Sequence, residues 1–113
     1  KGKSFDTFGP TGPYLVTKDE IPAPQNQPLQ ASVNGEIRQS GTTETMIFDI
    51  PSIIEHLSLY QTLEPGDLVC TGTPPGVGMG LKPPKFLVPG DTIELSSPGL
   101  GAQSMAVIKD PLA

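Results

Sequence analysis

The stretch LQASVNGEIRQSG, Leu29 to Gly41, alternates apolar Leu29, Ala31 and Val33 with polar neighbours, breaks at Asn34-Gly35 and resumes at Ile37. Alternation with a period of two sends one set of side chains to one face of an extended strand. Asn-Gly is the dipeptide that best accepts the positive φ values of a type I′ turn. The stretch therefore predicts a β-hairpin with strands Leu29 to Val33 and Glu36 to Gln39.

Downstream, FDIPSIIEHLSLYQTL is the only stretch with helical spacing. Ile50, Ile53, Ile54, Leu57 and Tyr60 share one face, Asp49 is suited to accept the first backbone N–H groups, and Pro51 suits the first turn. A helix is expected over Pro51 to Gln61, with His56 on its outer face. EPGD (Glu64 to Asp67) and VPGD (Val88 to Asp91) then read as two turns capped by Asp67 and Asp91. Each feeds an expected strand, LVCT from Leu68 to Thr71 and TIEL from Thr92 to Leu95, and a last strand is expected near QSMAVI. Upstream, KDEIPAPQNQP is a proline-broken connection, with Asp19 and Glu20 as solvated charges, and YLVT (Tyr14 to Thr17) is a short expected strand.

The 113 residues suit about one small domain, which buries roughly two-thirds of its unfolded surface and so has room for a modest core. Fourteen prolines and 13 glycines argue against long helices. A net charge of −5 with no basic cluster makes nucleic acid a poor partner. No run reaches the ~18 apolar residues of a membrane span. The lone Cys70 excludes an internal disulfide and fits a reducing, cytoplasmic setting; mid-strand, it reads as a small buried hydrophobe rather than a nucleophile. The opening KGKSF, without methionine, suggests processing or a missing upstream segment.

TGTPPGVGMG, Thr71 to Gly80, is shaped for a special backbone. A dinucleotide loop needs a helix to open within the glycines, and Pro83-Pro84 follow instead; a phosphate-binding P-loop needs Ser or Thr after Lys82. What remains is a strand end at Thr71, Gly72 and Thr73, where bare backbone N–H groups and a hydroxyl are suited to a carboxylate or carbonyl oxygen. A plain wide turn is the alternative.

KSFDTFGPTGP, VNGEIRQ, TMIF, PGDLVCTGTPPGVGMGLKPPKFLVPGD and GLG occur in this order, and together they resemble the C-terminal part of the fumarylacetoacetate hydrolase family. The long TGTPPGVGMG run is most similar to a bacterial branch named for ureidoglycolate lyase or 2,4-diketo-3-deoxy-sugar-acid hydrolase. The resemblance covers nearly the whole chain. It implies an α+β, mostly β fold, part of a mixed β-roll with one short helix, in which residues 1–113 form the C-terminal portion of a catalytic domain.

The resemblance further implies metal-dependent hydrolase or lyase chemistry on a 1,3-dicarbonyl or 2-oxo acid, such as an acylpyruvate or diketo sugar acid, in a homodimer. The family's Mg²⁺ or Mn²⁺ is held by a Glu-x-Glu pair and an Asp that precede the KSF motif. This sequence has no Glu-x-Glu, so no first-shell metal ligand is expected in it, and the isolated chain is expected to be inactive. Lys3 matches the catalytic lysine beside metal and substrate. Thr7 matches a position that lies near the metal in some members, without ligating it, and Gly72 and Thr73 match positions that contact a substrate oxygen. The family's His-Glu pair lies upstream, which leaves His56 a surface residue. A non-catalytic 2-oxo-acid binding module, a structural fragment, and a decarboxylase or isomerase of the same family are the competing expectations.

Overall fold

The computed structural model of the protein describes residues 4–110. Its framework is a four-stranded antiparallel sheet of β1 (Pro28–Val33), β2 (Glu36–Thr42), β3 (Thr92–Ser97) and β4 (Gly101–Ala106), in the spatial order β2-β1-β3-β4. One helix, α1 (Ile50–Ser58), follows the hairpin.

The turn between β1 and β2 is the one the sequence predicts. Asn34 has φ 52° and Gly35 φ 77°, both in the left-handed region that a type I′ turn requires. Asn34 also reaches across to β3, where its Oδ1 accepts from the Thr92 N–H at 2.8 Å and its Nδ2 donates to Asp91 Oδ1 at 2.8 Å. The hairpin turn is thus tied to the VPGD turn. β2 runs three residues past the expected Gln39, and a bulge interrupts its pairing: Ala31 faces Gln39 while Ser32 faces Ile37, leaving Arg38 as the extra residue.

Both Pro-Gly-Asp turns close in the same way, with the carboxylate accepting the N–H three residues back, Glu64 to Asp67 at 2.8 Å and Val88 to Asp91 at 2.9 Å. Asp49 caps α1 by accepting the Ser52 N–H at 2.8 Å, and Pro51 occupies the first turn. The helix ends earlier than the spacing suggests, although turn hydrogen bonds continue to Gln61.

The Ser52 hydroxyl and then its backbone N–H hold the Asp49 carboxyl below its ordinary value of 3.8. Because the lowered value belongs to the folded state, the cap contributes fully above 3.8 and is lost as pH falls through the lowered value. The helical circular-dichroism signal should therefore fall on acidification more in the wild type than in Asp49→Asn, whose neutral cap does not titrate. Identical acid profiles would remove Asp49 as the cause.

Four expectations fail. Tyr14 to Thr17 and Leu68 to Thr71 form no strand. An extended stretch becomes a strand only when a neighbour completes its ladder, and no described residue pairs with either one. The apolar pattern is present regardless: Leu15 is 98% and Leu68 72% exposed. Cys70, expected to be buried, is exposed for the same reason.

The modest core is also absent, since Ile21 is the only buried hydrophobic residue among those described. Leu29, Ala31, Val33, Ile93, Leu95 and Met105 line one face of the sheet but are only half-buried. The accessible surface is 9246 Å², against about 6,000 Å² typical of a monomer of this mass.

Candidate functional site

The glycine-rich loop leaves the Leu68 to Thr71 segment and lies against β2. Gly72 has φ 104°, a conformation that bares its backbone without steric cost. At Gly76, also at positive φ, an added Cβ would overlap the Arg38 carbonyl, and one at Gly41 would come within 2.9 Å of Pro74. The loop therefore meets the bulged strand backbone to backbone at Gly76 and seats the Pro74 ring against Gly41, two close approaches that a Cβ at either glycine would disturb. The far end is closed by a single 3₁₀ turn at Gly78–Gly80 and by the Lys85 N–H, which donates to the Gly78 carbonyl at 2.9 Å. No α-helix starts within the glycines, in keeping with the rejection of a dinucleotide loop.

Thr73 stands exposed on this loop, and its hydroxyl oxygen accepts a 2.6 Å hydrogen bond from Gln39 Nε2. The same amide nitrogen donates to the Pro74 carbonyl. An open cleft of about 280 Å³ runs from Gly72 and Thr73 over the sheet, with Gln39, Leu95, Ser97 and Gln103 in its lining. Ser97 is 8% exposed and its hydroxyl has no hydrogen-bond partner among the described residues. Gln103 Nε2 donates to the Gly12 carbonyl at 2.8 Å and so ties the N-terminal segment over β4. Among the described residues, no charged side chain lines the cleft, so the polar surface they give it is hydroxyl, amide and backbone.

The structure thus brings Gly72 and Thr73 together at the mouth of one cleft. Thr7 is exposed in a turn closed by the Phe8 N–H on the Phe5 carbonyl at 3.1 Å, and its φ of 65° is unusual for threonine. Lys3 lies outside the described residues. His56 is exposed, its ring edge-on to Tyr60 at 5.1 Å between centroids. The carboxyls held below their usual value are Asp19, by the Thr17 hydroxyl and its own backbone N–H; Asp49; and Asp91, by the Val88 N–H and the Asn34 amide. All three are turn or helix caps, Asp19 and Asp49 exposed and Asp91 half-buried, and the capping bonds account for their acidity without catalysis. Gln39 and Ser97 had no signal in the sequence, because a lone glutamine and a serine in strands look like ordinary sheet residues.

Among the described residues, no group of three or more His, Cys, Asp or Glu side chains is arranged to hold a metal ion. None of their helices is long and apolar enough to cross a membrane. The chain's described residues therefore do not fit a resident divalent ion.

Comparison with known proteins agrees with this geometry. A curated protein of Burkholderia ambifaria is 55% identical over 104 residues, covering 91% of this chain but 37% of its own length. Among solved structures, fumarylacetoacetate hydrolase from Exiguobacterium antarcticum superposes with a TM-score of 0.92 at 45% identity, over 96% of this chain and 39% of that one. Maleylpyruvate hydrolase from Sphingobium sp. SYK-6, in complex with manganese(II) and pyruvate, gives 0.83 at 36% identity, over 92% of this chain and 37% of that one. The chain thus spans under half the length of these relatives, and they share its mostly antiparallel sheet with one short helix. The sequence model of the fumarylacetoacetate hydrolase C-terminal domain matches residues 1–108, and by that match the chain belongs to the fumarylacetoacetate hydrolase family.

Proposed function

We propose that residues 1–113 are the C-terminal, substrate-loop portion of a fumarylacetoacetate hydrolase-like catalytic domain, and that the parent enzyme cleaves a C–C bond in an acylpyruvate or diketo sugar acid. The carrying observation is the Gly72-Thr73 loop, bare of side chains at Gly72 and held in place at the mouth of a cleft. The manganese and pyruvate in the related maleylpyruvate hydrolase structure support a small 2-oxo acid as the kind of molecule bound.

In this reading, Thr73 and the Gly72 amide hold a carboxylate or keto oxygen and fix the reacting carbonyl. The Lys3 ammonium stabilises the enolate that forms as the bond breaks. Thr7 supports the neighbouring ligands from behind. Mg²⁺ or Mn²⁺ is taken to be held by carboxylates outside this chain, because the described residues do not fit it. The isolated chain is then inactive. The large apolar surface, with Leu15, Ile47 and Phe86 well exposed, supports a site completed by further protein; the parent is taken to be a cytoplasmic homodimer.

An isomerase is the second reading, since 2-hydroxyhepta-2,4-diene-1,7-dioate isomerase from Mycobacterium marinum superposes with a TM-score of 0.80 at 38% identity. Incubating the parent enzyme with acylpyruvates, oxaloacetate and diketo sugar acids, and identifying products by mass spectrometry, separates these chemistries. Two carboxylic fragments from an acylpyruvate support hydrolysis, and a product of unchanged mass supports isomerisation. No conversion across the panel overturns both.

Thr73→Val keeps the size of the side chain and removes the hydroxyl. It should raise KM about tenfold with kcat little changed, the signature of a hydrogen bond made equally in ground and transition states. Unchanged steady-state kinetics would return the loop to a plain turn.

A further inference from the structure

We propose that Gln39 is a positioning residue that fixes the direction of the Thr73 hydroxyl, so that the loop presents a hydrogen-bond donor to an acceptor oxygen of the substrate. The inference rests on the proposed role of Thr73 as a substrate contact. It starts from the side-chain amide of Gln39, which faces both Thr73 Oγ1 and the Pro74 carbonyl oxygen.

A carbonyl oxygen can only accept, so the group facing Pro74 must be the NH₂ of Gln39 and not its oxygen. That settles which way the amide is turned. The NH₂ has two hydrogens, one for Pro74 and one for Thr73. The Thr73 oxygen is therefore an acceptor toward Gln39, and its own proton must point elsewhere. Among the described residues, no acceptor takes that proton. The hydroxyl proton is left available as a donor, which suits a carboxylate or keto oxygen at that place.

The strand beneath is built to hold this arrangement. Arg38 is the extra residue of the β2 bulge, and its carbonyl lies directly under Gly76. Gly41, two residues beyond Gln39, makes room for the Pro74 ring. Gln39 is half-buried between these two contacts, at the point where the loop is pinned on both sides.

The test uses the parent enzyme and the substrate it turns over, with Gln39→Met, Thr73→Val and the double variant. Gln39→Met keeps the length of the side chain and removes both N–H groups. It should raise KM about tenfold with kcat within about threefold, the scale of one lost hydrogen bond. The double variant should be no worse than Thr73→Val alone, because Gln39 acts only through the Thr73 hydroxyl. Multiplying effects, or a KM unaffected by Gln39→Met while Thr73→Val raises it, would overturn the inference and leave the substrate loop standing. An unchanged KM in Thr73→Val would overturn the loop reading itself, and this inference with it.

If Gln39→Met does not fold, Gln39→Glu serves in its place. A carboxylate there accepts the Thr73 proton and takes the donor away from the substrate, so KM should again rise about tenfold. A wild-type KM in Gln39→Glu would overturn the proposal. A loss of melting temperature without a change in KM, in either variant, would reduce Gln39 to a structural tie.

Discussion

Gly76→Ala should unseat the substrate loop and destabilise the parent enzyme by about 3 kcal/mol, combining the ~1–2 kcal/mol of a left-handed alanine with the ~1–3 kcal/mol of a forced overlap. The backbone at Gly76 has φ 115°, and a Cβ there runs into the Arg38 carbonyl, a backbone atom of the bulged strand that cannot step aside. Gly66 is the matched control, with φ 103° and nothing within 4 Å of an added Cβ. Gly66→Ala should cost only the left-handed conformation. Denaturant midpoints for the two variants isolate the overlap, and equal losses would mean that the loop does not rest on β2 as described. Because the overlap pushes the loop off the strand that carries Gln39, Gly76→Ala should also raise KM, which Gly66→Ala should leave alone.

Lys3→Ala in the parent enzyme should lower kcat by at least ~10²-fold, the size of a lost preorganised electrostatic stabiliser of a developing negative charge. An enolate carries that charge only once the bond begins to break, so the loss belongs in kcat more than in KM. Lys3→Arg keeps the charge but spreads it over a wider, planar group and should recover only part of the rate. Turnover near wild type in Lys3→Ala would remove the lysine from the mechanism. The basis for Lys3 is its match to the family's lysine motif, whereas that for Gly76 is geometric.

The framework was legible in the sequence where a signal was local. Asn34-Gly35 announced its hairpin because positive φ at two successive positions admits few residue pairs, and Asp49 with Pro51 announced the start of α1 because capping is settled within one turn. The two Pro-Gly-Asp turns were readable for the same reason. What depended on distant neighbours was not legible. Tyr14 to Thr17 and Leu68 to Thr71 have strand composition, yet a strand is a property of a pair, and their ladders find no partner among the described residues. The expectation that Cys70 is buried rests on the same assumption of a completed sheet.

The site divides along the same line. Gly72 and Thr73 stood out because a glycine-rich, proline-broken run is rare and matches a family motif. Gln39 did not, because its importance lies in a loop 34 residues further along the chain. Its neighbour Arg38 pairs with Glu36 at 3.1 Å, and Lys85 meets the same carboxylate at 3.3 Å; the Glu36 and Lys85 side chains are exposed, and an ion pair between exposed side chains contributes little to stability. The bulge that places Arg38 beneath Gly76 is equally invisible in composition. A one-residue shift in pairing leaves the alternation of apolar residues almost unchanged, and only the register reveals it.

The most direct test of the account is acylpyruvate cleavage by the purified parent enzyme, stripped of divalent ions with a chelator and then supplied with Mg²⁺ or Mn²⁺. The account predicts that cleavage is lost on stripping and restored by either ion in the wild type, and that restored Thr73→Val shows the raised KM. Cleavage that survives stripping, or the absence of any cleavage with either ion, would contradict the assignment of this chain to the substrate-binding portion of a metal-dependent hydrolase.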